Sequence, residues 1–135
     1  MSPTIAEIRD GMAEAILTGT NLRCHAYLST TLSHPCAYIQ PGSYDPRQVL
    51  GKSKVQYPFK VYVFVGSIAE ASAQRRCDVL REPDGTGSIV AAIEDGTLWP
   101  VTVDYASVTL VSEVTESSLG EEILLTFELD VEVQI

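Results

Sequence analysis

Beyond Arg81 this 135-residue chain has no lysine and no arginine. Residues 1 to 81 hold nine basic and six acidic side chains, a net of +3, whereas residues 82 to 135 hold twelve acidic ones, a net of −12. The total of −9 repels nucleic acid and excludes non-specific binding to a phosphate backbone. Cysteine is scarce too. Three widely spaced copies rule out a disulfide-stapled miniprotein and read as reduced thiols of a protein made in the cytosol. No apolar run approaches the ~20 residues of a bilayer crossing. Met1 to Asp10 has no basic stretch followed by an apolar one, so no export signal is expected. With 45% hydrophobic and 20% charged residues the chain is neither a disordered tail nor a collagen-like rod. What remains is one domain, residues 1–135, large enough to bury roughly 68% of its unfolded surface.

The first element is a helix. Ser2 and Thr4 are N-cap candidates, Pro3 suits the first turn, and Thr4 with Glu7 has capping-box spacing. Ile5, Ile8, Met12, Ala15 and Ile16 line one face, and Thr18, Gly19 and Asn21 end it. Two short strands follow, Arg23 to Tyr27 and Cys36 to Gln40, then an exposed loop from Gly42 to Lys54. Val55 to Val65 is a long strand with every odd position apolar; Pro58 puts its early part at a sheet edge. Ser67 and Glu70 predict a capping box for a helix over Ile68 to Leu80, with Ala69, Ala73, Cys77 and Leu80 inward. A turn around Pro83 and Gly85 leads to a short helix, Ser88 to Glu94. Val101 to Val114 reads as an irregular strand, and Glu116 to Gly120 as the turn into the last one.

That last strand has the clearest pattern. Ile123, Leu125, Phe127, Leu129, Val131, Val133 and Ile135 alternate with polar residues, broken only by Leu124. Burying this row contributes on the order of 10 kcal/mol gross. The order α-β-β-β-α-α-β-β fits an α+β fold, a mostly antiparallel mixed sheet with helices packed on one side. Thirteen strand residues span about 43 Å, whereas a domain of this size is roughly 36 Å across. A strand that long either coils strongly or projects. Projection predicts that its apolar face meets a neighbouring subunit, with opposite charges in the two halves favouring head-to-tail contact.

Motifs that carry chemistry fail on their neighbours. Gly51-Lys52-Ser53 resembles the end of a phosphate-binding loop, but Pro46 stands where its first glycine belongs and a strand follows it. Gly85-Thr86-Gly87-Ser88 lacks a preceding strand and has Val90 at the third glycine position of a dinucleotide fingerprint. Cys24, His25, His34 and Cys36 are potential zinc ligands, yet adjacent Cys24 and His25 point to opposite faces of a strand. No nucleophile elbow is present, and Trp99-Pro100 reads as a packed corner. Neither catalysis, metal nor cofactor is expected.

Several stretches do match a known pattern, in order along nearly the whole chain. They are Ile5-Ala6-Glu7-Ile8-Arg9-Asp10-Gly11, Tyr44-Asp45 after Pro41-Gly42, and Phe59-Lys60-Val61-Tyr62-Val63-Phe64-Val65-Gly66. The helix Ala73-Gln74-Arg75-Arg76-Cys77-Asp78-Val79-Leu80 follows, then Gly85-Thr86-Gly87-Ser88-Ile89 with Ala91-Ala92-Ile93, and the closing strand. With these the chain resembles the tail terminator (tail completion) proteins of long-tailed bacteriophages, especially those of actinobacterial siphophages. Cys77 stands where the pattern favours a larger apolar residue.

The resemblance implies a homohexameric ring in the virion neck that caps the tail tube, ends its polymerisation and presents a surface to head-completion proteins. Genomic DNA passes through such a ring without specific binding, past acidic side chains, and no membrane is involved. Subunit contacts are expected from Val55, Tyr57, Phe59 and Val61 and from the row Ile123, Leu125, Phe127, Leu129, Val131, Val133 and Ile135. Tyr44, Asp45, Arg47, Lys52 and Lys54 form the expected contact loop for tube or channel. A neighbouring neck component, such as a head-closure or adaptor protein, is the alternative; a small cytosolic ligand-binding domain comes next.

Overall fold

The computed structural model describes residues 4–27, 35–43, 56–67, 70–119 and 122–135. Helix α1, Ile5–Thr20, starts as its sequence predicts: the Glu7 amide donates to Thr4 Oγ1 at 3.2 Å and the Thr4 amide to Glu7 Oε1 at 3.1 Å. Ser2 and Pro3 lie outside the described residues. The helix ends on Asn21 in the left-handed region, φ 59°, with its amide on Leu17 O. Gly19, expected among the stop residues, lies inside the helix. A Cβ there would stand 2.5 Å from Ala92 Cβ, so its bareness lets α1 close on the short helix α3, Ile89–Glu94.

Six strands form one sheet: β1 Arg23–His25, β2 Cys36–Pro41, β3 Gln56–Ser67, β4 Tyr105–Val111, β5 Thr115–Leu119 and β6 Glu122–Gln134. The order across it is β1-β2-β3-β6-β4, with β5 also beside β6. Among the described strands β1 and β2 run parallel, and the other pairs are antiparallel. The α+β fold and its mostly antiparallel mixed sheet are thus as expected. Among the described residues the element order differs near the end of the chain. Thr115–Leu119, expected to be mostly turn, is a strand that folds back on β6, so three strands close the chain rather than two. Helix α2 is shorter than expected, Ala71–Leu80. Its N-cap Glu70 makes no side-chain cap, because Ser67 belongs to β3 and pairs with Leu124. Ile68 and Ala69 lie outside the described residues.

Strand β6 lies inside the sheet, paired along both edges, and does not project from it. Its register with β3 runs from Gln56↔Gln134 to Ser67↔Leu124, and β4 and β5 divide its other edge between them. Two register shifts, between Phe64 and Gly66 and between Val108 and Leu110, accommodate the length. Pro58 fits because β2 stops at Pro41, opposite Phe59. The Pro58 carbonyl accepts from Gly42 N at 2.8 Å, so its missing donor points past the end of the β2 ladder.

The three described α-helices pack on one face. Ile8, Met12 and Ile16 from α1, Cys77 and Leu80 from α2, and Ile89 and Ile93 from α3 share a core with Val61, Val63, Phe127, Leu129, Val131 and Val133. Trp99 plugs one corner, its indole donating to Ile93 O at 2.8 Å. Gly85 (φ 95°) and Gly87 (φ 86°) make the turn before α3, and Ser88 caps that helix through Ala91 N. Their role is turn geometry. Among the described residues no helix is long and apolar enough to cross a membrane.

Candidate interaction face

The alternation of β3 and β6 that fills the core also fixes what stands on the reverse. Registers align Arg23, Cys36, Phe64, Thr126 and Thr115 in one row across the outer face. His25, Tyr38, Tyr62 and Glu128 form the next row, then Gln40, Lys60, Asp130 and Leu110, then Pro58, Glu132 and Ser107. Gln56, Gln134 and Tyr105 close the series, tied by Gln56 Nε2 donating to Tyr105 Oη at 2.6 Å and to Gln134 Oε1 at 3.2 Å. No described helix covers these rows.

One end of the face is aromatic. Tyr38 stacks on Tyr62, centroids 4.8 Å apart and planes within 20°, and lies 6.0 Å from Phe64 at 19°. Burial, then the neighbouring Tyr62 and Glu128, push the Tyr38 phenol above its ordinary range. The middle is charged. Lys60 Nζ reaches Glu128 Oε2 at 3.5 Å and Asp130 Oδ1 at 3.9 Å, and those carboxylates, Glu128 foremost, raise the lysine pKa. One ammonium faces three carboxylates along β6, since Glu132 shares the face. Between the aromatic end and β5 runs a groove of about 300 Å³, with Tyr62 and Phe64 lining it together with Thr115, Glu116, Thr126 and Glu128.

The expected contact residues separate into three groups. Phe59, Val61, Phe127, Leu129, Val131 and Val133 are at most 2% exposed, buried beneath the subunit's own helices. They are core, which corrects the expectation that this apolar row meets a neighbour. Tyr57, Leu125 and Ile135 are half-buried, and only Ile123, at 44%, is well exposed. Val55 and the whole loop set Tyr44, Asp45, Arg47, Lys52 and Lys54 lie outside the described residues.

The cysteines and Arg9 have packing or hydrogen-bonding roles. Cys24 packs against the core, and burial, helped by Cys36, pushes its thiol up to about 12. Burial also raises Cys36 and Cys77, so the three thiols keep their protons near neutral pH. Arg9 borders a second groove of about 300 Å³, but its donors go to Ala26 O and Ile39 O, each at 2.8 Å, with the Tyr27 ring 4.1 Å away. It straps α1 to the strands. His34 lies outside the described residues, and among the described residues no three His, Cys, Asp or Glu side chains gather as a metal site would need.

Sequence reasoning missed Tyr38, Tyr62 and Phe64. The signal was present: Tyr62 and Phe64 are aromatic at even positions of a strand whose core positions are odd. Comparison with protein-family models and with curated proteins finds no match.

Proposed function

We propose that this chain is a structural subunit of a bacteriophage virion, a tail terminator whose ring caps the tail tube and receives the neck. The observation that carries this reading is the outer sheet face, where a half-buried aromatic cluster and a row of carboxylates stand side by side with no described helix over them. A sheet face with no described helix over it suits subunit contact. The resemblance of the quoted stretches to tail terminators supports reading the assembly as a tail ring. In the ring, the aromatic end meets a neighbouring subunit, while Asp130 and Glu132 face the channel and keep DNA from adhering as it passes. No group in this reading performs catalysis; its partners are other copies, the tail-tube protein and a head-completion protein.

Native mass across concentration, by light scattering after gel filtration, tests it. A species of hexamer size, or a monomer that joins a ring only when tail-tube protein is added, is the expected result. A monomer at every concentration that also ignores tube protein overturns the proposal. Binding to the portal side instead of the tube would identify a head-closure or adaptor protein.

A further inference from the structure

The groove on the outer face has the makings of a guanidinium site. Aromatic rings line it at Tyr62 and Phe64, β5 and β6 bring hydroxyls at Thr115 and Thr126, and β6 brings the Glu128 carboxylate. A planar cation is the side chain that uses both kinds of surface, stacking on a ring while its N–H groups pair with a carboxylate. Lys60 is the one described base on the middle of this face, and it is shared between Glu128 and Asp130, so negative charge remains in excess.

This chain carries a matching group on its opposite layer. Arg9, Arg76 and Arg81 spend donors on backbone carbonyls: Arg76 on Thr20 O at 3.3 Å and Arg81 on Ser112 O at 2.9 Å. Arg75 is exposed on α2. Arg23 is exposed as well, but it stands in the same sheet layer as the groove. Helix α2 lies against the end of the sheet at Gly66, where an added Cβ would meet Ala73 Cβ at 3.0 Å. The groove opens at that same end on the reverse side, at Phe64. Arginine and groove therefore sit back to front on one end of the subunit.

We infer that the groove receives Arg75 of a second copy of this chain, stacked against Tyr62 and Phe64 and paired with Glu128. A back-to-front contact is heterologous: each copy gives an arginine on one side and takes one on the other. Repeated with a rotation that divides a full turn, it builds a ring. The inference rests on the ring reading and names the contact that builds it.

Charge reversal tests the pairing, with native mass followed over concentration, alone and with tail-tube protein added. Arg75→Glu and Glu128→Lys are each expected to weaken assembly by about tenfold or more, and the double variant to recover most of it. Arg75→Lys keeps the charge without the planar stack and should fall between. Tyr62→Leu should weaken assembly while leaving the urea midpoint of the monomer close to that of the parent. Rings that persist unchanged in Arg75→Glu overturn the site and leave the capping reading standing. Loss in both single variants without recovery in the double overturns the pairing. A parent protein that never assembles, alone or with tube protein, overturns both.

Discussion

The two faces of β6 are made from alternate residues of the same thirteen, yet they obey different rules. On the inner face Phe127, Leu129, Val131 and Val133 are at most 1% exposed and enclosed by three helices. On the outer face Thr126, Glu128, Asp130 and Glu132 keep contact with solvent, and their partners are single atoms on neighbouring strands. The inner face holds the subunit together. The exposed ion pairs of the outer face contribute little to that. A strand with period-two alternation separates stability from recognition at a spacing of one residue.

The sharpest way to break this division is to cut the inner face. Phe127→Ala should cost about 3–5 kcal/mol, since it removes a large side chain from the middle of a closed core. Urea unfolding measures it, and a loss under 1 kcal/mol would mean the inner face is not what holds the fold. Alkaline pH acts on the same side more gently. Cys24 ionises near 9.0 when unfolded but at about 12 in the fold. Between those values the folded chain keeps a proton that the unfolded chain has lost, so raising pH favours unfolding. Each pH unit in that window removes about 1.4 kcal/mol at most for this thiol. Cys24→Ala should flatten the slope of stability against pH above 9; an unchanged slope refutes the assignment. The smallest effect belongs to the outer face. Lys60→Met removes two exposed ion pairs and should leave the urea midpoint where it was. A clear drop would show that the outer face carries stability too.

Much of this arrangement was legible in the residues. The capping box at Thr4, the face of α1, the odd-position rows of β3 and β6 and the α+β class all follow from local spacing. Local spacing also misled where tertiary pairing decides. Thr115 to Leu119 is polar and Ser-rich and reads largely as turn, yet β6 offers it a ladder edge and it becomes strand. Ser67 and Glu70 have cap spacing, but Ser67 is held by its pairing with Leu124. An apolar row says only that something covers it; whether the cover is an own helix or a neighbour depends on where α1, α2 and α3 fold back. The candidate face was hidden for a similar reason. Tyr38 and Tyr62 meet only because the β2–β3 register sets them opposite each other, and that register does not exist in either segment alone.

The place of β6 inside the sheet bears on how the subunit is made. Its pairing with β3 joins residues as far apart as Gln56 and Gln134, 78 positions in the chain. During synthesis the first helix and the first three strands emerge with the middle of the sheet missing. The inner row of β3 then has helices to one side and an unpaired edge where its partner will come. Contacts of such separation form slowly, and an apolar strand edge left open attracts other chains. Arrival of β6 closes β3 on one edge and recruits β4 and β5 on the other. Production of this protein should therefore depend on how soon that last described strand is available, with truncations inside β6 giving aggregates instead of smaller folded domains.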